Sequence, residues 1–233
     1  MKAIYKREMK AYFTNPIGYV VIAIMWIYSS MLFSTVFSAG SSDITSIFSS
    51  MFSVMLFILP ILTMRTFSEE KRQKTDQLYM TAPTSLWGVV LGKFFAAVTV
   101  FMIGMSLTLI YMFIIMIYIT PQWLVFLSNL LGALLLAAAF AAIGMLISAC
   151  TESQIVSAII TFAAAILLIL LDSLASLINI GWITAACSWV SFYDRYTDFT
   201  IGTLNPANIL FFISMAGVFL FLTVRKLDRK RWA

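Results

Sequence analysis

Residues 64–93 read MRTFSEEKRQKTDQLYMTAPTSLWGVVLGK, and the fold turns on this stretch. Its part from Arg65 to Trp87 is the one long polar segment in the chain, set between the apolar runs Phe48 to Met64 and Val89 to Ile119. A helix that crosses a bilayer needs about 20 mainly apolar residues. A charged hairpin between two such runs therefore reads as a loop joining two membrane spans. Within it, Glu69, Glu70, Lys71, Arg72 and Lys74 mix both signs, as in a solvated helix paired at three and four residues. Leu78, Tyr79 and Met80 then form a short apolar patch before Ala82-Pro83 ends the helix. Such an element suits docking to a soluble partner; the plain alternative is a solvated connector.

Outward from this loop the same alternation continues. Further apolar runs span 17–36, 124–149, 155–171 and 207–224, which makes six candidate spans. Fourteen of the fifteen Lys and Arg fall in three clusters: Lys2 to Lys10, Arg65 to Lys93, and Arg225 to Arg231. The opposite gaps carry Asp43, Asp172, Asp194 and Asp198 against Arg195 alone. Cytoplasmic loops retain Lys and Arg, so both termini and the 65–83 loop are expected in the cytoplasm, with 172–206 outside. Six spans use up most of the chain and leave no room for a second folded domain. The run at 89–119 exceeds a perpendicular span, so it is expected to tilt or to start at the interface near Trp87 and Lys93.

Composition agrees. The chain is 62% hydrophobic and 11% charged, where an ordinary soluble domain carries about 25% charge. The net charge of +5 fits contact with anionic headgroups or an acidic partner better than nucleic acid, for which a separate basic domain is expected. There is no histidine, no cysteine pair at zinc spacing and no phosphate-binding glycine loop, so no catalytic, cofactor or metal residues are assigned. No ionisable residue lies at the middle of a span, where ion-coupled carriers usually place one. Energy for movement would then come from elsewhere, and an ATPase bound from the cytoplasm is the natural source.

Residues 1–15, MKAIYKREMKAYFTN, place Ile4, Tyr5, Met9, Tyr12 and Phe13 near one helical face and Lys2, Lys6, Arg7 and Lys10 on the other. This predicts an amphipathic helix in the inner interface, with Lys6, Arg7, Tyr12 and Phe13 as its interfacial residues, rather than a solvated tail. Asn15-Pro16 breaks it. The first ten residues hold five charges and no cleavage site follows the first span, which is therefore expected to be an uncleaved anchor. The fourth span is rich in small residues from Gly132 through Ala137, Ala138, Ala139, Ala141, Ala142 and Gly144, which permits close packing, within the chain or between subunits. Trp182, Trp189, Phe192, Tyr193, Tyr196 and Phe199 in the outer segment predict one or two short helices on the headgroups. Cys150 and Cys187 would lie on opposite sides of the membrane, unable to pair.

Four segments carry a resemblance to the membrane subunits of ABC-2 type transporters, nearest to the branch of gliding-motility permeases and the nitrous-oxide-reductase maturation permease. KREMKAYFTNPIGYV at 6–20 resembles the family's opening. Residues 64–93 are similar to its cytoplasmic signature, with Lys74 where the family usually has glycine before the threonine. TESQIVSAIITF at 151–162 looks like its start of the fifth span, and SFYDRYTDFTIGTLNPANILFF like its outer segment. The resemblance implies an all-α integral membrane fold of the ABC-2, type V exporter kind: six spans, an N-terminal interfacial helix and a cytoplasmic coupling helix. It also implies a homo- or heterodimer of membrane subunits above separate ATPase subunits that carry ATP and Mg. Glu69, Glu70, Arg72, Thr75, Asp76, Leu78 and Tyr79 would then face the ATPase, with Glu70 and Arg72 making ionic contacts and Leu78 and Tyr79 seating in its cleft.

The function expected on this basis is that of a permease subunit, not itself an enzyme, in the cell membrane. It would couple ATP hydrolysis by its partner to export or transbilayer movement of a substrate. The alternatives are a mechanical transmitter to an envelope machine, with an extracytoplasmic partner on 172–206, and an ATP-independent scaffold or channel.

Overall fold

The computed structural model describes residues 1–40, 44–75, 85–118, 122–178 and 191–232. All regular structure among them is helical: α1 (Lys2–Thr14), α2 (Pro16–Ser38), α3 (Thr45–Thr63), α4 (Arg65–Arg72), α5 (Leu86–Met105), α6 (Leu107–Tyr118), α7 (Trp123–Cys150), α8 (Gln154–Ile178), α9 (Phe192–Thr200) and α10 (Pro206–Trp232). Among the described residues, five stretches are long and apolar enough to cross a bilayer: Pro16–Ser38, Thr45–Arg72, Leu86–Tyr118, Trp123–Cys150 and Pro206–Arg229. The expected span at 155–171 lies in α8, whose Gln154–Leu170 part is a shorter apolar helix. Large side chains such as Val20, Ile24, Ile27, Ile110, Phe113, Leu210 and Ile213 point outward, as a lipid-facing surface requires. This is an all-α, multi-pass membrane fold.

The bundle is organised around α7, and glycine explains how closely its neighbours approach. A Cβ at Gly144 would collide with Thr63 of α3, and one at Gly132 would meet Phe199 of α9. Ala133, Ala137, Ala139, Ala141 and Ala142 are buried beside them. At Gly132 and Gly144, then, the small residues of this span serve packing inside the chain, where the sequence left a second subunit open. Without a hydrophobic drive between helices in lipid, such close contact supplies the association energy.

Local chemistry sets the element boundaries. Asn15 is extended (φ −89°, ψ 150°) and Pro16 occupies the first turn of α2, where its missing N–H costs nothing. The long third run forms α5 and α6 with a single turn residue, Ser106, between them, itself in the right-handed helical region (φ −60°, ψ −25°). There the Ser106 amide bonds back only three residues, to Ile103 O at 3.2 Å. The Ser106 hydroxyl bonds the same carbonyl at 2.6 Å, and Thr108 Oγ1 bonds Met105 O at 2.7 Å. Hydroxyls bonding back to helix carbonyls in this way bend helices. By contrast α3 and α4 run nearly end to end, joined at Met64, whose amide still bonds Pro60 O.

At the opposite end from the basic clusters, α9 is inserted into the bundle rather than lying only on its surface. Phe192, Tyr196 and Phe199 are fully buried, and Tyr196 OH donates to Phe48 O of α3 at 2.9 Å. Ser128 Oγ and Asn129 Nδ2 of α7 satisfy the last carbonyls of α9, those of Phe199 and Thr200. Ser191 caps its start by accepting from the Asp194 amide. The aromatic density read in the sequence thus serves packing at these positions, while Trp182, Trp189 and Cys187 lie outside the described residues. Cys150 is free and exposed.

Candidate functional site: the junction of α1, α4 and α5

The charge-rich end of the bundle is where α4 emerges from α3, and three other helices hold it there. Its first turn is tied to the end of α7. Ser148 Oγ accepts from the amides of Phe67 and Ser68, both at 3.1 Å, and donates to Met64 O at 3.0 Å. Early helix amides lack partners within their own helix, so one serine from α7 acts as a cap supplied from outside. Lys71 donates to Ala149 O, placing a cation on the negative end of the α7 dipole. Thr66, Phe67 and Ser68 are buried by these contacts, so α4 has one polar face and one packed face rather than being solvated all round.

The opposite side of α4 carries an ionic cluster. Lys93 of α5 is 1% exposed, and its ammonium has three acceptors: Thr66 O at 2.7 Å, Glu8 Oε1 at 3.0 Å and Glu70 Oε1 at 3.0 Å. Two of these are hydrogen bonds, to Glu8 and to Thr66 O, while Glu70 is an ion-pair contact, and the Phe67 ring lies 5.2 Å from Nζ. Arg7 closes the cluster from outside, 2.9 Å from Glu8 and 2.6 Å from Glu70. Two cations balance two anions. That balance is what allows burial, because an uncompensated charge here would cost several kcal/mol, about 3–5 when one partner is removed. Among the described residues, Glu70 Oε2 is buried without a hydrogen-bond partner.

The charges act on one another. Burial alone would push the Glu8 carboxyl up, but Lys93 nearby and the Arg7 hydrogen bond outweigh it and hold Glu8 below the ordinary carboxylate range. For Arg7, partial burial is likewise outweighed by Glu8 and Glu70, which raise it. Tyr12 is raised by burial, and its hydroxyl donates to Leu62 O at 2.9 Å.

The sequence-predicted residues fall in different places. Glu70 faces inward and is engaged within the chain, whereas Arg72 is exposed, so the two do not share a surface. Glu69 pairs with Arg65 at 3.3 Å, an i,i+4 pair, and accepts from Gln73. Thr75 closes the end of α4, while Asp76, Leu78 and Tyr79 lie outside the described residues. In α1, Lys6 is exposed, Arg7 bridges to α4, Tyr12 is buried, and Phe13 packs edge-on against Tyr19 at 5.5 Å. The aromatic face of α1 therefore rests on the protein: Tyr5 OH reaches Thr99 of α5, and Ile4 covers Gly92, where a Cβ would lie 3.2 Å from Ile4 Cβ.

Lys74 stands at a backbone position that favours glycine. Thr75 N bonds Glu70 O at 2.9 Å and Lys74 N bonds Lys71 O at 3.1 Å, the bond pair of a Schellman helix end. That motif puts Lys74 at φ 56°, a left-handed conformation that glycine adopts freely and lysine does not. Helix α9 ends with the same bonds, from Thr203 to Asp198 and from Gly202 to Phe199, but there Gly202 holds the position at φ 94°.

Sequence reasoning passed over Glu8, Lys93 and Ser148. The signal for Lys93 was present: a lone lysine inside the apolar run Leu86–Tyr118 needs a counter-ion unless it snorkels out. Serine 148 carried no comparable signal, since span serines usually bond their own helix. No curated protein matches the chain. The family model of ABC-2 type transporters matches residues 1–198. Together with the all-helical membrane bundle, that match makes the chain a member of the ABC-2 type transporter family, the membrane permease component of an ABC transporter and not itself catalytic.

Proposed function

We propose that this permease takes its energy from a separate cytoplasmic ATPase docked on α4 and the segment that follows it, within 65–83. The observation that carries this reading is the mounting of α4. It continues α3 almost without a break, is capped by Ser148 of α7, and is bound by ions to α1 and α5. A displacement of α4 would thus be passed to four helices of the bundle. The exposed Arg72 would meet the ATPase directly, and Asp76, Leu78 and Tyr79 would extend that contact. Glu70 would act from behind, by holding α4 to Lys93.

In this reading the charge-rich end and both termini are cytoplasmic, and the membrane is the cell membrane. ATP and Mg belong to the ATPase, and a second permease subunit, identical or related, completes the path. The segments quoted from 6–20, 64–93 and 151–162 favour the gliding-motility and nitrous-oxide-reductase maturation branch. The product of coupling would be export or transbilayer movement of a substrate.

Gentle affinity purification from the native membrane, with mass spectrometry of the intact complex, tests the proposal. A stoichiometric ATPase and a second permease copy are expected. A folded chain that emerges alone would contradict it.

A further inference from the structure

Helix α1 carries three cations that the ionic cluster does not use. Lys2, Lys6 and Lys10 are exposed and recur every fourth residue, so they form one line about 12 Å long down the helix. Among the described residues none of the three has an acidic partner, and the single acid of α1, Glu8, is turned toward Lys93 and Arg7. Residues three apart are neighbours on a helix, so Lys2 borders Tyr5, Lys6 borders Met9 and Lys10 borders Phe13. Those three apolar residues are half-buried, and they lead into side chains that face lipid. Phe13 packs edge-on against Tyr19 in the first turn of α2, where Tyr19 and Val20 are both exposed. Tyr5 OH donates to Thr99 of α5 at 3.1 Å, and Phe95, one turn before Thr99, is exposed as well. The line of lysines therefore runs along the border where the polar end of the bundle gives way to its lipid-facing surface.

We infer that Lys2, Lys6 and Lys10 form a binding surface for anionic phospholipid headgroups, in the leaflet at this end of the bundle. Lysine suits that depth, because its stem lies along apolar surface while its ammonium stays in the polar layer. A lipid phosphate would meet the ammoniums, and the acyl chains would run down over Tyr19, Val20 and Phe95. Each lysine is expected to contribute about fivefold to affinity, which corresponds to about 1 kcal/mol per cation at an anionic surface. A soluble protein fits this line less well. The surface proposed above for an ATPase, at Arg72, belongs to α4, and α1 meets α4 through Arg7, which lies off the line of lysines and pairs with Glu70. The inference rests neither on that docking nor on which side of the membrane this end faces. It gives α1 two neighbours besides the bundle core, headgroups on one flank and α4 on the other.

Native mass spectrometry of the full chain, released from nanodiscs that hold equal amounts of phosphatidylglycerol and phosphatidylcholine, tests it through the ratio of the two lipids retained. The wild type is expected to retain phosphatidylglycerol in preference. Lys2→Gln, Lys6→Gln and Lys10→Gln together should lower that preference by more than about tenfold. Arginine at the same three positions keeps the charge and should keep the preference, which separates lost charge from lost fold. As a control, Arg225→Gln, Lys226→Gln and Arg229→Gln remove three exposed cations from α10 at the same end and should leave most of the preference in place. Two results would overturn the inference: an α1 triple variant that retains lipid as the wild type does, or equal losses in the α1 and α10 variants. An α1 variant with unchanged lipid preference that no longer captures an ATPase would also overturn it, because the line would then be a protein contact.

Discussion

Nζ of Lys93 lies 3.0 Å from Oε1 of Glu70, joining the third membrane helix run to the short helix that extends the second. Each group has a second ionic partner, Glu8 for Lys93 and Arg7 for Glu70. Replacing Lys93 with Met would leave Glu8 and Glu70 with Arg7 as their one shared cation, and removing one partner of a buried ionic cluster costs about 3–5 kcal/mol. Thermal unfolding in nanodiscs is expected to show this loss. The double variant Lys93→Met with Glu70→Gln should recover part of it, because one stranded charge is then neutral.

Glu8 predicts an acid limit for the cluster. Its carboxyl is held below the ordinary value of 4.5, so its contribution to stability is present above that value and is lost as pH falls through the lower, folded one. Unfolding temperature followed downward from about pH 5 should fall more steeply for the wild type than for Glu8→Gln. Parallel curves would remove Glu8 from the account.

Lys74 offers a stabilising change. Its left-handed backbone costs an L-residue about 1 kcal/mol, which glycine does not incur. Lys74→Gly is expected to raise stability by about 0.5–1 kcal/mol. Lys74→Val should do the reverse, because a β-branched residue resists positive φ most.

Ser148 should matter more than a typical serine in a membrane helix. Ser148→Ala strands the amides of Phe67 and Ser68, at about 1–3 kcal/mol. Faster amide hydrogen exchange should appear in α4 first, and substitution with Thr should restore protection if its methyl group fits.

Gly144 tests the packing of α7. Gly144→Val would drive a side chain into Thr63 and Thr161, and overpacking of this kind costs about 1–3 kcal/mol. The companion change Thr63→Ala should recover part of the loss.

Much of this architecture was legible in the sequence because charge and apolar runs are governed by the membrane. The runs beginning near Ile17, Phe48, Leu124 and Ala207 all lie in helices, and Asn15-Pro16 marked the turn between α1 and α2. The turn at Ser106 was not legible, since a serine that bonds its own helix gives no distinctive pattern in the sequence. The site was half legible. Composition placed Glu70 on a charged helix, but a helical pattern cannot say which face meets α1 and α5, and so Glu70 read as a contact for a partner. Glu8 and Lys93 are 85 residues apart, and only the docking of α1 over Gly92 brings them together.

The central claim is that α4 is where an ATPase drives this permease, and a photo-crosslinking residue at position 72 tests it most directly. Placed there in the native membrane, and at Lys10 and Arg229 as controls, the probe is expected to capture an ATPase from position 72. Capture from Arg229 alone, with position 72 silent in a folded chain, would contradict the account.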